Sequence, residues 1–409
     1  MAYDLPALRA QFPALEAGLA HFEGPGGTQT PRPVIRAVAD ALSRPLAHRR
    51  PGTAGDREDR GDREDDALAA GARQALADLL GADPLGIVVG RSATQLTYDI
   101  SRTLARAWRP GDEVVVTRLD HDANVRPWVR AAERSGATVR WADFDAATGE
   151  LTPEHLAAVL SPRTRLVAVT AASNLLGTRP PVAALARCAH EAGALLYVDA
   201  VHYAAHTLVD LDALGADAAV CSPYKFLGPH HGVLAARPAL LETLRPDKVL
   251  PAPDTVPERF EQGMPQYELM AGTRAAVDFL AGLDADATGT RRERLAASYA
   301  ALAAHEEALS ARIDKELAGL EGVTAHGRAA DRTPTRLLTF DGRAAQQAHR
   351  FLAARGVLAP AGVFYAVEAA RRLGLGETGG LRIGLAPYTA PQDADRLLTG
   401  LADFLRQPR

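Results

Sequence analysis

The lysines of this chain are few, and one of them is placed where an amine can react. The only lysines are Lys225, Lys248 and Lys315. Lys248 and Lys315 lie among charged residues, where a solvated cation is the ordinary interpretation. Lys225 instead follows the apolar run 217–221, within the segment CSPYKFLGPHHG. Because lysine, unlike arginine, can lose its proton, Lys225 can act as a nucleophile and form a Schiff base with a carbonyl compound.

Other polar side chains follow apolar runs that are typical of buried strands. Asp199 ends the run ALLYVD, His121 follows EVVVT, and Asn174 follows RLVAVT. Because ligands of open α/β sheets bind at the carboxyl ends of the strands, these groups are expected near Lys225. Taken alone, Asp199 fits the capping of a following turn as well as it fits a binding site.

Donors for an anion are expected at the same edge. Ser92 and Thr94 begin a predicted helix, where free N–H groups and the dipole favour a phosphate, although such residues are most often simple helix caps. Ser222 follows the same run as Lys225. An amine for the aldehyde, a carboxylate for the pyridine nitrogen and donors for the phosphate are what pyridoxal 5′-phosphate (PLP) requires. The set as a whole therefore predicts a PLP site.

A metal site is the alternative that one further pair suggests. His202 and His206 are four residues apart, a spacing at which two imidazoles can share a metal ion. The sequence shows neither an HExxH pattern nor a third ligand beside them. We therefore expect no metal.

The strand-like runs that carry these residues alternate with helical stretches. Their residue ranges are 86–90, 113–117, 138–142, 165–170, 194–199, 217–221 and 232–236. Several are apolar throughout, as expected of strands buried on both faces. The alternation predicts an α/β domain with a mostly parallel sheet.

The pattern changes after about residue 261. Long helices are predicted first, and shorter strands and helices follow. The helices are predicted at 269–282, 287–320, 343–355 and 391–406, and the strands at 336–340 and 381–385. We therefore expect a second, smaller α+β domain.

A direct repeat of GDRED at 55–65 lies within a highly charged stretch, 49–66. A solvated, mobile loop is the ordinary interpretation of such a charge run. A gate over a nearby site is the alternative.

Composition restricts the class of protein further. The chain has 409 residues, of which 47% are hydrophobic, and a formal net charge of −4. This balance gives no reason to expect a nucleic-acid or membrane partner. The first residues lack a signal-peptide pattern and no apolar run reaches about 18 residues, so we expect a soluble cytoplasmic protein. Two cysteines exclude a disulfide framework.

The order and spacing of several segments resemble the class V, fold-type-I PLP enzymes, specifically their cysteine desulfurase-like branch. The resemblance runs from about His21 to the C-terminus. The segments are FEGPGGTQTP (22–31), LDHDANVRPW (119–128), SNLLGT (173–178), YVDAVHYAAH (197–206), SPYKFLGPHHG (222–232), RFEQGMP (259–265) and LRIGLAPYTA (381–390).

The resemblance implies an architecture and an assembly. It implies a large α/β domain with a mostly parallel seven-stranded sheet and a small α+β C-terminal domain. We expect the large PLP-binding domain at 21–260, the small domain at 261–409, and an N-terminal segment, 1–20, packed with the small domain. Such enzymes are typically homodimers with active sites near the interface.

The resemblance also implies a role for each central residue. Lys225 corresponds to the Schiff-base lysine that also carries protons. Asp199 corresponds to the partner of the pyridine nitrogen, and His121 to the ring that stacks on the cofactor and takes part in proton transfer. Asn174 and His202 correspond to neighbours of the phenolic oxygen, with His202 standing where the family often has glutamine.

Further cofactor and substrate contacts follow from the same resemblance. Thr94 and Ser222 correspond to phosphate ligands, and Ala93 and Tyr224 are expected to contact the cofactor. Arg382 corresponds to the clamp on the substrate carboxylate, which suits a bidentate guanidinium, and Asn174 is expected to assist it.

Three departures from the family pattern bear on the reaction. Desulfurases need a nucleophilic cysteine on the loop before the last Arg-bearing strand, and residues 356–380 contain none. Cys188 and Cys221 are expected to be inert core thiols. Met264 stands where the family often has a threonine that reaches the phosphate across the dimer. The segment 387–390 reads PYTA where the closest subgroup has an HYNT-like sequence.

These departures favour an enzyme that acts on an L-cysteine S-conjugate or a related α-amino acid. The expected outcome is C–S cleavage by β-elimination, or decarboxylation coupled to oxidative deamination, in specialised natural-product metabolism. The alternatives are a cysteine desulfurase, a PLP-dependent epimerase or aminotransferase, and a non-catalytic paralogue.

Overall fold

The part of the charged stretch that the structure describes is helical. The computed structural model describes residues 3–44 and 58–408, so the part of the stretch at 49–57 lies outside the described residues. From residue 58 onward the chain forms one long helix that continues to Leu80. The expected loop is therefore wrong for 58–66, because this segment continues the helix that the following alanines and leucines form, even though its aspartates and glycine are poor helix formers.

The described helices range from single turns to a helix of 28 residues. They are α1 (Leu5–Arg9), α2 (Arg32–Leu42), α3 (Glu58–Leu80), α4 (Ala93–Ala105), α5 (Arg126–Ser135), α6 (Pro153–Ala157), α7 (Val182–Glu191), α8 (Pro238–Thr243), α9 (Tyr267–Leu280), α10 (Arg291–Ala318), α11 (Ala345–Ala353), α12 (Val367–Arg372) and α13 (Pro391–Arg406).

The described strands form three sheets. They are β1 (Ala20–His21), β2 (Ile87–Gly90), β3 (Glu113–Thr117), β4 (Thr138–Ala142), β5 (Thr164–Thr170), β6 (Leu195–Asp199), β7 (Ala218–Cys221), β8 (Gly232–Ala236), β9 (Val323–His326), β10 (Thr335–Phe340), β11 (Val357–Leu358), β12 (Ala361–Gly362) and β13 (Gly380–Gly384).

The largest sheet confirms the predicted α/β architecture. Its seven strands lie in the order β2-β8-β7-β6-β5-β3-β4. The pairs from β7 to β4 are parallel, whereas β8 is antiparallel to both β2 and β7. The carboxyl ends of β3, β5, β6 and β7 therefore meet at one edge, which is the edge that the sequence predicted to carry the reactive groups.

Alternating side chains of this sheet enter two separate cores. Val115, Val167 and Val198 belong to the cluster on one face. Leu166 and Tyr197, each one residue earlier in β5 and β6, belong to the cluster on the other. Every residue of β3 is buried, which explains why its three central valines lack the alternation of a half-exposed strand.

The C-terminal part of the chain forms a smaller antiparallel sheet in the order β12-β13-β10-β9. Helices α10, α11 and α13 contribute to its core together with β10 and β13. The two-residue strands β11 and β12 carry no sequence pattern long enough to be predicted. The domain boundaries expected at residues 20 and 260 stay a prediction.

The N-terminal segment connects the sheets. β1 pairs in parallel with β11, and Glu23 then forms an isolated bridge with Gly384 of β13. The next turn brings the Pro25 carbonyl to Lys225, whose Nζ donates a hydrogen bond to it. A segment that begins beside the small sheet thus ends beside the reactive edge of the large one.

Within residues 3–44 and 58–408, no helix combines the length and the apolar character that a membrane span requires.

Gly232 is required by the close approach of β8 to the start of α4. A Cβ atom at this position would lie 2.2 Å from the Ser92 carbonyl carbon and 2.4 Å from the Ala93 nitrogen. We predict that Gly232→Ala lowers the free energy of unfolding by about 1–3 kcal/mol, because backbone atoms must move apart. Urea unfolding followed by circular dichroism measures the change.

Gly319→Ala is the matched control for this prediction. Its Cβ would meet nothing closer than 3.5 Å, so a change within about 0.5 kcal/mol is expected. Equal stability of Gly232→Ala and wild type would contradict the close approach of β8 and α4.

Candidate active site

One cavity at the carboxyl edge of the large sheet collects nearly all the predicted site residues. It offers about 590 Å³ of empty space that is open to solvent. Its walls include Ala93, Thr94, His121, Asn174, Asp199, His202, Ser222, Tyr224 and Lys225. Arg382 lies next to this wall, because its Nη1 donates a hydrogen bond to the Asn174 backbone oxygen at 3.1 Å. Sequence reasoning therefore identified residues that the fold brings together.

Lys225 is held in the short 3₁₀ helix Pro223–Lys225, directly after β7. Only 8% of the residue is exposed, and its Nζ donates to the carbonyl oxygen of Pro25. Burial, together with the positive charge of Arg382, lowers the pKa of the Lys225 amine to about 7, although Asp199 opposes the shift. A large fraction of the amine is therefore neutral and nucleophilic near neutral pH.

Asp199 ends β6 and faces the same cavity. Its Oδ1 accepts a hydrogen bond from the Val201 backbone N–H at 2.9 Å. Burial raises the pKa of the Asp199 carboxyl to about 6, whereas the Val201 N–H and Lys225 act in the opposite direction. A cationic group brought against this carboxylate would be stabilised, because the carboxylate is poorly solvated.

His121 presents a neutral ring to the cavity. Its Nδ1 accepts a hydrogen bond from the Ala123 backbone N–H at 3.0 Å, so the ring proton of the neutral form is on Nε2. Burial, with a further contribution from Lys225, lowers the pKa of His121 to about 4. The ring can therefore stack and donate a hydrogen bond without adding a charge to the site.

The start of α4 lies at another side of the cavity. Ser92 caps this helix by accepting a hydrogen bond from the Gln95 N–H at 3.1 Å, and Ala93 and Thr94 follow in its first turn. Ser222 is buried in the facing wall. The free N–H groups of a helix of 13 residues and a nearby hydroxyl form an arrangement that suits an anion.

Tyr224 belongs to the same wall as Ser222. Its ring stacks on His230, with 4.6 Å between the ring centroids. The ring centroid lies 5.3 Å from Lys225 Nζ. Tyr224 therefore limits the space around the reactive amine.

His202 belongs to the cavity wall and contacts two threonines from the C-terminal part of the chain. Its Nε2 lies 2.9 Å from Thr333 Oγ1 and 3.0 Å from Thr335 Oγ1, and its buried Nδ1 has no partner. Burial lowers the pKa of His202 well below its usual range, with His206 adding to the effect. Thr333 and Thr335 were missed by sequence reasoning, because their distance of more than 130 residues from His202 leaves no local signal.

Arg382 lies on β13 and is almost completely buried. Burial lowers the pKa of its guanidinium to about 9, and Glu23 opposes the shift. The buried Nε has no partner. A buried guanidinium with a free donor favours a carboxylate as its ligand.

Phe364 and Tyr365 border the cavity and were also missed. Their φ angles are 52° and 59°, which side chains adopt at a cost on the order of 1 kcal/mol each. The Arg382 guanidinium lies over the Phe364 ring, 3.8 Å from its centroid. The Tyr365 ring lies 5.4 Å from that of His121, centroid to centroid. Strained backbone of this kind clusters at functional sites.

A second buried acid, Asp120, lies behind His121. It accepts hydrogen bonds from the Thr117 hydroxyl and from Asn124 Nδ2, the latter at 2.6 Å. Burial raises the pKa of the Asp120 carboxyl to about 8. The sequence shows that Asp120 directly precedes His121, but it does not show that the Asp120 side chain is buried.

The two histidines considered as a metal pair have other contacts. Their rings meet edge to face with 5.0 Å between centroids, and His206 Nδ1 bonds the buried Glu306 at 2.9 Å. Across residues 3–44 and 58–408, no three or more His, Cys, Asp or Glu side chains form a group suited to a metal.

The two cysteines differ in burial. Cys221 ends β7 and is buried, and burial raises the pKa of its thiol far above the usual range. Cys188 is half-buried on α7. A buried protonated thiol is a poor nucleophile.

The residues present fit PLP. The cavity combines an amine of lowered pKa, a carboxylate, a neutral imidazole and a helix N-terminus. Two buried nitrogens without partners, His202 Nδ1 and Arg382 Nε, are donors or acceptors that a bound molecule would satisfy. Unsatisfied buried polar atoms are rare in proteins, so the two at this site are groups that a polar ligand would satisfy.

Comparison with known proteins agrees with this arrangement. A family model described as "Aminotransferase class-V" matches residues 20–397. "Uncharacterized protein MT3887" of Mycobacterium tuberculosis (strain CDC 1551 / Oshkosh) is 34% identical over 406 residues, covering 99% of this chain and 100% of that protein. A "Probable cysteine desulfurase" of Pseudomonas aeruginosa is 32% identical over 414 residues, covering 96% of each.

A solved structure shows the same fold. The crystal structure of the cysteine desulfurase CsdA (S-sulfonic acid) from Escherichia coli matches with a TM-score of 0.85 and 26% identity, over 99% of each chain.

We predict that the nucleophilicity of Lys225 titrates near pH 7. Only the neutral amine reacts, so acetic anhydride should label Lys225 of the cofactor-free protein faster as pH rises, with a midpoint at about 7 and a plateau beyond it. Peptide mass spectrometry gives the rate at each pH. N-acetyl-lysine amide in the same tube, with its pKa of about 10.4, is the reference. A Lys225 profile parallel to the reference would contradict the lowered pKa.

Proposed function

The chain belongs to the class V aminotransferase family and is a PLP-dependent enzyme; from this premise we propose that it cleaves the C–S bond of an L-cysteine S-conjugate. The observation that carries the proposal is the absence of a sulfur-accepting thiol. Residues 356–380 contain no cysteine, and Phe364 and Tyr365 occupy the part of this loop that borders the cavity.

The described residues supply a holder for each part of the cofactor. We propose that Lys225 binds its aldehyde carbon and Asp199 its pyridine nitrogen. Ala93, Thr94, Ser222 and Tyr224 would hold the phosphate end, His121 would stack on the ring, and Asn174 and His202 would face the phenolic oxygen. When bound, PLP supplies a conjugated ring that accepts the electron pair left at the substrate α-carbon.

The proposed proton transfer relies on Lys225. The Lys225 amine would remove the proton from the substrate α-carbon, and a pKa near 7 keeps a large fraction of it in the basic form. Arg382 would bind the substrate carboxylate and orient the α-carbon–hydrogen bond toward Lys225. Asp199 would remain ionised above its pKa of about 6 and so hold the pyridine nitrogen protonated.

The proposed reaction balances without an oxidant. The α-carbon–hydrogen bond and the β-carbon–sulfur bond of the conjugate break, and the sulfur takes up a proton and leaves as a thiol. One water then converts the remaining three-carbon unit to pyruvate and ammonium. No sulfur needs to be stored on the protein.

Cysteine desulfuration is the second candidate, because relatives with about 30% identity carry that name. It would need a sulfur acceptor other than the loop at 356–380. Cys221 is unsuitable because its thiol is buried and its pKa is raised. Cys188 or an external thiol would have to serve.

The assembly and location are also proposed. We expect a cytoplasmic homodimer, as the resemblance of the sequence implies. Apolar side chains at Leu250 and Met264 are exposed in the single chain, at 95% and 67%, which a dimer interface would explain. Met264 would then lie near the partner's cavity.

We predict that S-alkyl cysteines are substrates and that L-cysteine is not. The holoenzyme should release thiol, pyruvate and ammonium in equal amounts from S-ethyl-L-cysteine. Lys225→Ala should lower the rate at least about a hundredfold, since it removes the base. Lys315→Ala, which changes an exposed lysine, should keep the wild-type rate.

A different product pattern would overturn this function. Sulfide and alanine from L-cysteine under reducing conditions, with no thiol from S-ethyl-L-cysteine, would identify a desulfurase. Loss of the conjugate without pyruvate, together with oxygen uptake and carbon dioxide release, would identify oxidative decarboxylation.

A further inference from the structure

The loop between β12 and α12 closes one side of the cavity. Its residues Phe364 and Tyr365 both adopt the left-handed backbone conformation, although neither is glycine. Asn174 Nδ2 donates to the Phe364 carbonyl at 2.9 Å, and the Asp122 N–H donates to the Tyr365 carbonyl at 2.8 Å. Asn174 belongs to the cavity wall, and Asp122 lies between the wall residues His121 and Ala123, so two hydrogen bonds fasten the strained turn beside the cavity.

The two aromatic rings flank the groups expected to handle the substrate. Phe364 covers one face of the Arg382 guanidinium, with 3.8 Å from the guanidinium carbon to the ring centroid. Tyr365 is 72% exposed and lies beside His121. The buried Nε of Arg382 keeps a free donor while its face is covered. A carboxylate can therefore bind the edge of Arg382 without displacing Phe364.

The side chain of a bound amino acid must lie close to these rings. Its carboxylate and its side chain leave the same carbon atom, so a substrate held by Arg382 carries its side chain within a few ångströms of the loop. Aromatic faces at this position favour contact with an apolar or aromatic group. A short polar side chain such as that of cysteine would leave the rings unpaired.

We propose that Phe364 and Tyr365 form the side-chain subsite and select α-amino acids that carry an aromatic or extended apolar group on sulfur. That the selected group is carried on sulfur rests on the proposed function, whereas the subsite itself is a binding property. It is therefore tested with unreactive carboxylates, which need no chemistry.

The experiment compares two ligands by calorimetry on the holoenzyme. 3-Phenylpropanoate contains the carboxylate and an aromatic group, whereas propanoate contains the carboxylate alone. Wild type should bind 3-phenylpropanoate at least roughly tenfold more tightly, since the ring finds an apolar partner. Phe364→Ala and Tyr365→Ala should each reduce this preference severalfold, and Tyr365→Ala should leave propanoate affinity nearly unchanged because Tyr365 does not contact Arg382.

Phe351→Ala is the matched control. Phe351 is another half-buried phenylalanine under a guanidinium, that of Arg355, with 3.6 Å to the ring centroid. It lies on α11, which contributes no residue to the cavity wall, and should keep the wild-type preference. Tyr365→Ala changes an exposed side chain and therefore tests the subsite even if Phe364→Ala fails to fold.

The outcomes separate the subsite from the reaction. Wild-type preference in a folded Tyr365→Ala variant and in Phe364→Ala would overturn the subsite, as would an equal loss in Phe351→Ala. A preference for 3-phenylpropanoate that the two variants lose, in a protein that releases no thiol from S-benzyl-L-cysteine, would keep the subsite and overturn the proposed reaction.

Discussion

Two basic side chains buried close together, one after a strand of the large sheet and one on a strand of the small sheet, determine the chemistry of this protein. Lys225 and Arg382 are both taken out of water, and Arg382 is close enough to lower the pKa of Lys225. Asp199 and Glu23 offset this charge only in part. The least costly response is loss of the lysine proton, because the arginine holds its proton far more strongly. The same burial therefore yields a neutral amine and a cationic anchor for a carboxylate.

The main sheet was predictable because its signal is local. The strands ending at Thr117, Thr170 and Asp199 are apolar through their central residues, as burial on both faces requires. The long charged helix was not predicted, since a run without apolar periodicity resembles a loop until the helix that continues it is known. Two-residue strands such as β1 exist only through their partners in the folded chain.

The site was predictable where it depends on strand ends and was not where it depends on distant contacts. Lys225 and Asp199 follow apolar runs, so topology alone brings them together. The acceptor for Lys225, Pro25, is 200 residues away, and Thr335 is 133 residues from His202. Phe364 contacts Arg382 from a turn with positive φ. An aromatic residue in a sequence gives no indication of such a turn.

If the cavity at the sheet edge holds PLP through Lys225, chemical reduction should fix the cofactor to that residue. The purified holoenzyme is reduced with borohydride, digested and mapped by mass spectrometry. A single modified site is expected, with the mass of a reduced pyridoxal phosphate on the peptide that contains Lys225. Modification at Lys248 or Lys315 instead, or a protein that retains no cofactor after incubation with PLP, would contradict it.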